Sequence, residues 1–424
     1  MSCLSPPFAG SLLREDLEHV LDHTRAMWEE VRGRRLFITG GTGFFGVWLV
    51  ETFLWANEQL ALNARAVVLS RNPRAFCRKM PYLARHPALS FHQGDVRDFE
   101  FPEGSFSHVI HAATESAHRP GSTLGAAAGL SGSADNTGGQ ATRGTQEEHV
   151  GPQFSGHEHQ VLIRLGESPS ALLDTIVDGT RRVLEFARHC GAKKLLLVSS
   201  GAVYGPQPPA LTHVGEDYAG APDPMDPASA YGQGKRLAEQ WCALCAERYR
   251  LAAKIARGFA FIGPHLPLDA HFAAGNFIRD ALQGGPIVVR GDGTPYRSYL
   301  YAADLAVWLW TILFRGAACR PYNVGSAREL TIAELAAAVA GAFRPALLVR
   351  RERQPRPGTP PPRYVPAVER AAQELGLRQT IDLRTAIERT VRWHQAGKHD
   401  EPRRGPAGAA HPWDLSPSAQ RGAS

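Results

Sequence analysis

Residues 36–54 read Leu36-Phe37-Ile38-Thr39-Gly40-Gly41-Thr42-Gly43-Phe44-Phe45-Gly46-Val47-Trp48-Leu49-Val50-Glu51-Thr52-Phe53-Leu54. A short apolar run enters a glycine cluster and a longer apolar segment leaves it, a pattern that predicts strand, tight turn and helix. Gly40, Gly43 and Gly46 are spaced to bind a phosphate. The first permits the sharp reversal, the second lets backbone approach a pyrophosphate, and the third lets the helix pack close on the strand. The pyrophosphate belongs at the helix N-terminus, where unpaired N–H groups and the helix dipole favour negative charge.

Working outward, residues 64–70, 89–98 (with an acidic exit) and 106–111 read as further strands, followed by a helix over 171–187 and a strand over 194–198. A helix containing Tyr231 and Lys235 and a short strand over 253–257 continue the alternation. Strands alternating with helices imply an α/β fold with a doubly wound parallel sheet. Residues 11–32 read as an amphipathic helix leading into the first strand, and residues 381–394 as the last helix. Between them the expected division is an N-terminal helical extension (1–33), a cofactor-binding domain (34–262), a mainly substrate-binding lobe (263–395) and a disordered tail (396–424). Residues 118–165, dominated by Gly, Ser, Thr, Ala and Gln, show no period. They read as a disordered insertion, with a lid over the site as the functional alternative.

The bulk composition narrows the function. A chain of 424 residues with 43% hydrophobic and 21% charged residues is an ordinary globular protein of two or three domains. The net charge of +6 is mild and its arginines are scattered, which argues against nucleic acid as a partner. The six cysteines lack framework or metal-ligand spacing. Cys242 and Cys245 form a CxxC inside a helical pattern with no second pair, so reduced thiols and no metal are expected. With no signal peptide and no long apolar span, the expectation is a cytoplasmic protein without membrane contact.

Tyr231 and Lys235 lie four residues apart, hence on one helix face. A nearby ammonium stabilises a phenolate and lowers the tyrosine pKa, which suits acid/base work on a sugar or alcohol hydroxyl. Ser200 ends a strand, where ligands bind in an open parallel sheet, and it can share a hydrogen bond with the substrate hydroxyl beside Tyr231.

Taken together, TGGTGFFG (39–46), GDVRD (94–98), VIHAA (109–113), SSGAVYG (199–205), YGQGK (231–235) and GDGTPYRSYLYAADLA (291–306) resemble the extended short-chain dehydrogenase/reductases, in their nucleotide-sugar epimerase/dehydratase branch. The resemblance implies a Rossmann domain with a smaller C-terminal α/β lobe over a nucleotide sugar. It implies NAD or NADP as cofactor, held by Gly40, Gly43, Phe44, Phe45, Gly46, Arg71, Asp95, Val96, Ala112, Ala113, Tyr231 and Lys235. Ser200, Tyr231 and Lys235 would be catalytic, and Arg297 would grip the sugar-nucleotide phosphates with Asn276 lining the same pocket. A homodimer packing the helices around 177–188 and 235–247 is likewise implied.

Departures from the family pattern bear on the reaction. Ser70-Arg71 stands where NAD-preferring members carry an acid, and Arg71 could meet a 2′-phosphate, leaving NAD and NADP both open. The 4,6-dehydratases place Asp-Glu directly after the catalytic Ser/Thr, and the decarboxylases a glutamate. Here Gly201-Ala202 cannot move a proton. Glu115, in Ala113-Thr114-Glu115-Ser116, is the one displaced acid available. Thr175 takes the place of an asparagine that supports the family's proton relay. The reading favoured is an epimerase working through a 4-keto sugar. The alternatives are a 4,6-dehydratase using Glu115, an NADPH-dependent keto-sugar reductase, and a non-catalytic cofactor-binding scaffold.

Overall fold

The structure is a computed structural model and describes residues 12–113, 168–270 and 272–399. The expected insertion at 118–165 and Glu115 lie outside the described residues. Helix α1 (Arg14–Thr24) tightens into a 3-10 stretch over Arg25–Val31 before strand β1 (Arg35–Thr39). The glycine turn follows, then α2 (Phe44–Gln59), β2 (Arg65–Ser70), β3 (Leu89–Gln93) and β4 (His108–His111). Beyond come α3 (Pro169–His189), β5 (Lys194–Ser200), α4 (Ala230–Tyr249), β6 (Ala252–Gly258), α5 (Ala302–Arg315) and β7 (Pro321–Val324).

These seven strands form one all-parallel sheet in the order β7-β6-β5-β4-β1-β2-β3. The order reverses between β1 and β4, and in an open parallel sheet the crevice at such a switch point holds the ligand. Register places Thr39 opposite His111, so the glycine turn and the Ala112-Ala113 exit leave the sheet side by side. Side chains alternate across β1: Leu36 and Ile38 join the α2/α5 layer, while Phe37 joins the α3/α4 layer.

After residue 262 the chain leaves for a lobe and then returns to the sheet as β7. The intervening α5 (AADLAVWLWTILFR) is buried along almost its whole length. It shows little amphipathic period because the sheet and α2 cover one side and the N-terminal segment the other. Trp28 sits 4.6 Å from Trp310 and 5.6 Å from Phe314, ring centre to ring centre. Asp16 in α1 accepts a 2.6 Å hydrogen bond from Tyr301 and pairs with Arg389 of the last helix (Leu383–His399). The N-terminal extension is therefore the outer wall of the core. The last helix runs five residues past its expected end, into the segment expected to be tail.

The lobe contributes a three-stranded sheet of Leu330–Thr331, Tyr296–Arg297 and Arg363–Tyr364. Its register sets Tyr364 directly beside Arg297. Among the described residues no helix is long and apolar enough to cross a membrane.

Candidate active site at the sheet switch point

Gly40 adopts φ +72°, and a Cβ there would stand 2.5 Å from the Ala112 carbonyl and the Ala113 nitrogen. Only glycine permits that contact between the two strand exits. A Cβ on Gly46 would meet the Gly40 carbonyl oxygen at 2.1 Å. Gly43 differs: its nearest neighbour would be the Gly40 oxygen at an ordinary 3.5 Å, with open space beyond. Gly43 also starts α2 with no side-chain cap, so the first N–H groups, those of Phe44 and Phe45 included, are left to a ligand. A closed glycine on either side of an open one at an uncapped helix start fits the pyrophosphate of NAD(P).

The adenine end is expected beyond β2 and β3. Arg71 is exposed at the end of β2, and its charge acts on Asp95. Asp95 accepts 2.8 Å and 3.2 Å hydrogen bonds from the Arg97 guanidinium. Burial works against its charge, but these bonds outweigh burial and hold the carboxyl below its ordinary range. Val96 is buried against α3, where a Cβ on Gly179 would come within 2.9 Å of its Cγ1.

The chemistry-bearing side chains converge at the exit of β5. Ser200 Oγ accepts from the Ala202 N–H at 3.1 Å, closing a tight turn over Gly201–Tyr204, and it hydrogen-bonds Tyr231. Tyr231 is the second residue of α4, which follows a 3-10 turn over Pro227–Ser229 capped by Asp226 accepting from the Ala228 N–H at 2.9 Å. Lys235, one turn on, lies with its Nζ 5.8 Å from the Tyr231 ring centre and donates to the Val198 carbonyl at 2.9 Å.

This arrangement corrects the expectation that Lys235 lowers the Tyr231 pKa. Burial dominates and pushes the phenol up, with the Ser200 hydrogen bond opposing it. The ammonium is aimed at a backbone carbonyl instead. Burial also depresses Lys235 to about 8, although Glu239 on the next turn pulls the other way.

That depression links to stability. Between pH 8 and 10.5 the unfolded chain keeps a proton that folded Lys235 has shed, so stability rises with pH across that window. Wild type should gain on Lys235→Met by on the order of 3 kcal/mol between pH 7 and pH 10.5. Urea unfolding of both proteins at the two pH values reads the difference directly, and a constant difference would contradict the buried, depressed lysine.

His111, quoted in its motif but given no role, is a site residue that the sequence did not single out. It lies within hydrogen-bond reach of Thr39 Oγ1 (2.8 Å) and Thr180 Oγ1 (3.1 Å), joining β1, β4 and α3 behind the site. Burial first, and the Lys235 charge second, drop its pKa to about 3, so it stays neutral. Thr175 is buried on α3. Arg297 is buried in the lobe, donates to the Tyr296 carbonyl at 2.8 Å and lies 5.8 Å from the Tyr364 ring centre. Asn276 accepts from Arg279 at 3.0 Å within its own helix (Ala273–Leu282). The structure therefore brings together Ser200, Tyr231 and Lys235. Arg297 lies against Tyr364, whose hydroxyl is 3.4 Å from Ser200 Oγ.

The space beside Gly201 is filled. A Cβ there would stand 2.6 Å from Phe259 Cζ, so the ring occupies the position an acidic side chain would need. Sequence comparison matches residues 164–325 to the NAD dependent epimerase/dehydratase family. The chain is similar to UDP-glucuronic acid decarboxylase 5 of Arabidopsis thaliana, with 31% identity over 227 residues, covering 52% of this chain and 63% of that protein. It is also similar to UDP-glucuronic acid decarboxylase 1 of Danio rerio, with 30% identity over 244 residues, covering 56% of each. The chain thus spans little more than half the length of these curated relatives.

The fold resembles that of a dTDP-glucose 4,6-dehydratase of Streptomyces venezuelae solved with NAD, at TM-score 0.62 and 24% identity over 86% of this chain and 98% of that one. A UDP-N-acetylglucosamine 4-epimerase of Methanobrevibacter ruminantium gives TM-score 0.64 and 17% identity over 86% and 99%.

Proposed function

We propose that this protein acts on the sugar of a nucleotide sugar, Tyr231 exchanging a proton with the C4 hydroxyl, and that the net reaction is epimerisation at C4. When bound, NAD(P) supplies reversible hydride acceptance. The observation that carries the reading is the Ser200–Tyr231 hydrogen bond beside Lys235, set against a filled, non-ionisable Gly201-Ala202. Tyr231 is the group that takes and returns the proton, and Ser200 orients it. Lys235 supplies positive charge that keeps the site competent once its ammonium turns from Val198 towards a ligand. Elimination of water needs a further acid, and positions 201 and 202 offer none. Arg297 supports a phosphate-bearing substrate, since a guanidinium presents paired donors to phosphate oxygens.

A second reading is supported by the similarity to UDP-glucuronic acid decarboxylases. A uronic acid oxidised at C4 is a β-keto acid, and it loses carbon dioxide without an elimination acid. Incubating the protein and cofactor with nucleotide sugars in deuterated water, followed by NMR, separates the reactions. A C4 epimer with no deuterium at carbon is expected. A pentose product from a uronic acid, deuterated at C5, would replace epimerisation by decarboxylation. A deuterated 4-keto-6-deoxy sugar would overturn both readings.

A further inference from the structure

Ser200 Oγ has one hydrogen and two lone pairs. The Ala202 N–H takes one lone pair at 3.1 Å, leaving one acceptor position and the hydrogen for two phenols, Tyr231 and Tyr364. Tyr364 comes from the far end of the chain. It is held by pairing with the strand of Arg297, by a ring contact with Phe259 at 4.7 Å, and by its hydroxyl donating to the Gly258 carbonyl at 3.5 Å.

We propose that Tyr364 is a positioning residue that acts through Ser200: by turning its one hydrogen from the Gly258 carbonyl to Ser200 Oγ it takes the second lone pair and leaves the serine hydrogen directed at Tyr231. This rests on the reading of Tyr231 as the proton-transfer group. It also gives the aromatic pair Phe259–Tyr364 a function. Phe259 fills the space beside Gly201, while Tyr364 reaches past it to supply a hydroxyl where residues 201 and 202 supply nothing. Because Tyr364 lies beside Arg297 in the small sheet, docking of a phosphate on Arg297 is coupled to the orientation of Ser200.

Among the described residues the charged and titratable groups around Tyr231 are few. They are Lys235 and Glu239 on its own helix, neutral His111 behind the site, Tyr364, and Arg297 behind Tyr364. Glu239 is already paired with Arg257 and accepts from Ser199 at 2.6 Å. Ser200 is thus the group that couples Tyr364 to Tyr231.

The test is Tyr364→Phe, which keeps the ring on Phe259 and removes only the hydroxyl. One hydrogen bond's worth of orientation predicts a roughly tenfold fall in kcat at neutral pH with KM nearly unchanged. The acidic limb of the pH profile should move up by about half a unit to one unit. In a Ser200→Ala background the same substitution should cost nothing further, because the coupling runs through the serine. Additive losses would mean that Tyr364 acts independently of Ser200 and would overturn the proposal. Titration of ring-labelled tyrosine by carbon-13 NMR, with Tyr231 assigned by its Phe variant, needs neither substrate nor turnover. A Tyr231 titration unchanged by Tyr364→Phe would overturn the proposal even if the enzyme is active. A shifted titration in a protein that turns over no nucleotide sugar would instead sustain the coupling and fail the proposed function.

Discussion

Tyr231→Phe is expected to lower kcat by about 10²–10⁴-fold while leaving substrate binding within a few-fold of wild type. The size follows from what stands around the phenol. Ser200 is an unactivated hydroxyl already bonded to the Ala202 N–H, and Lys235 donates to the Val198 carbonyl. The serine cannot take a proton from a sugar hydroxyl near neutral pH, the lysine is mostly protonated there, and His111 is neutral but enclosed between two threonines. Among the described residues Tyr231 thus has no stand-in. The substitution removes one oxygen from a site whose backbone is fixed by the Ser200 turn and the Asp226 cap, so the fold should survive. Initial rates on the nucleotide sugar that gives a product by NMR, together with calorimetric binding of that sugar, check the two halves. Turnover within a few-fold of wild type would remove Tyr231 from the chemistry and return the chain to a cofactor-binding scaffold.

The catalytic pair was legible because both members sit on one helix, where a separation of four residues fixes a shared face. The glycine turn was legible because its constraint is local backbone geometry. Tyr364 was not. It lies 164 residues from Ser200, and the two meet only through the pairing of Tyr364 with Arg297, a register that no local period encodes. The weak signal available was an aromatic between a proline run and Val365-Pro366. The Lys235 effect on Tyr231 was misjudged for a different reason. Helical spacing places two side chains on one face, but it does not say where an ammonium finds its acceptor, and here a backbone carbonyl takes it. The return of the chain as β7 was hidden by α5, which lacks an amphipathic stripe because the N-terminal segment covers its outer side. The N-terminal extension covers the outer side of this helix and makes it part of the core.

Gly46 and Gly43 of the opening turn should respond to alanine in opposite ways, and this contrast tests the cradle apart from catalysis. In Gly46→Ala the new methyl would stand 2.1 Å from the Gly40 carbonyl oxygen and 2.4 Å from the Gly41 Cα. Both obstacles are backbone, held by the Gly43 N–H donating to that same Gly40 oxygen at 3.0 Å, so the turn cannot yield cheaply. A loss of roughly 3 kcal/mol or more is expected, read as a lower urea midpoint with an unchanged slope. Gly43→Ala meets nothing closer than 3.5 Å and sits at φ −89°, which alanine adopts freely. Its stability without cofactor should stay within about 1 kcal/mol of wild type, since only a favourable helix-start residue is lost. Its affinity for NAD(P)H should fall about 5- to 150-fold, the equivalent of roughly 1–3 kcal/mol of overlap with a pyrophosphate lying on the helix start. Nucleotide fluorescence titration on the folded variant measures this. Undiminished binding in Gly43→Ala would place the pyrophosphate elsewhere, because the methyl would then project into space that no ligand uses. Weak binding with intact stability has one physical cause in this turn: the opening at Gly43 is kept clear for the cofactor rather than for the fold.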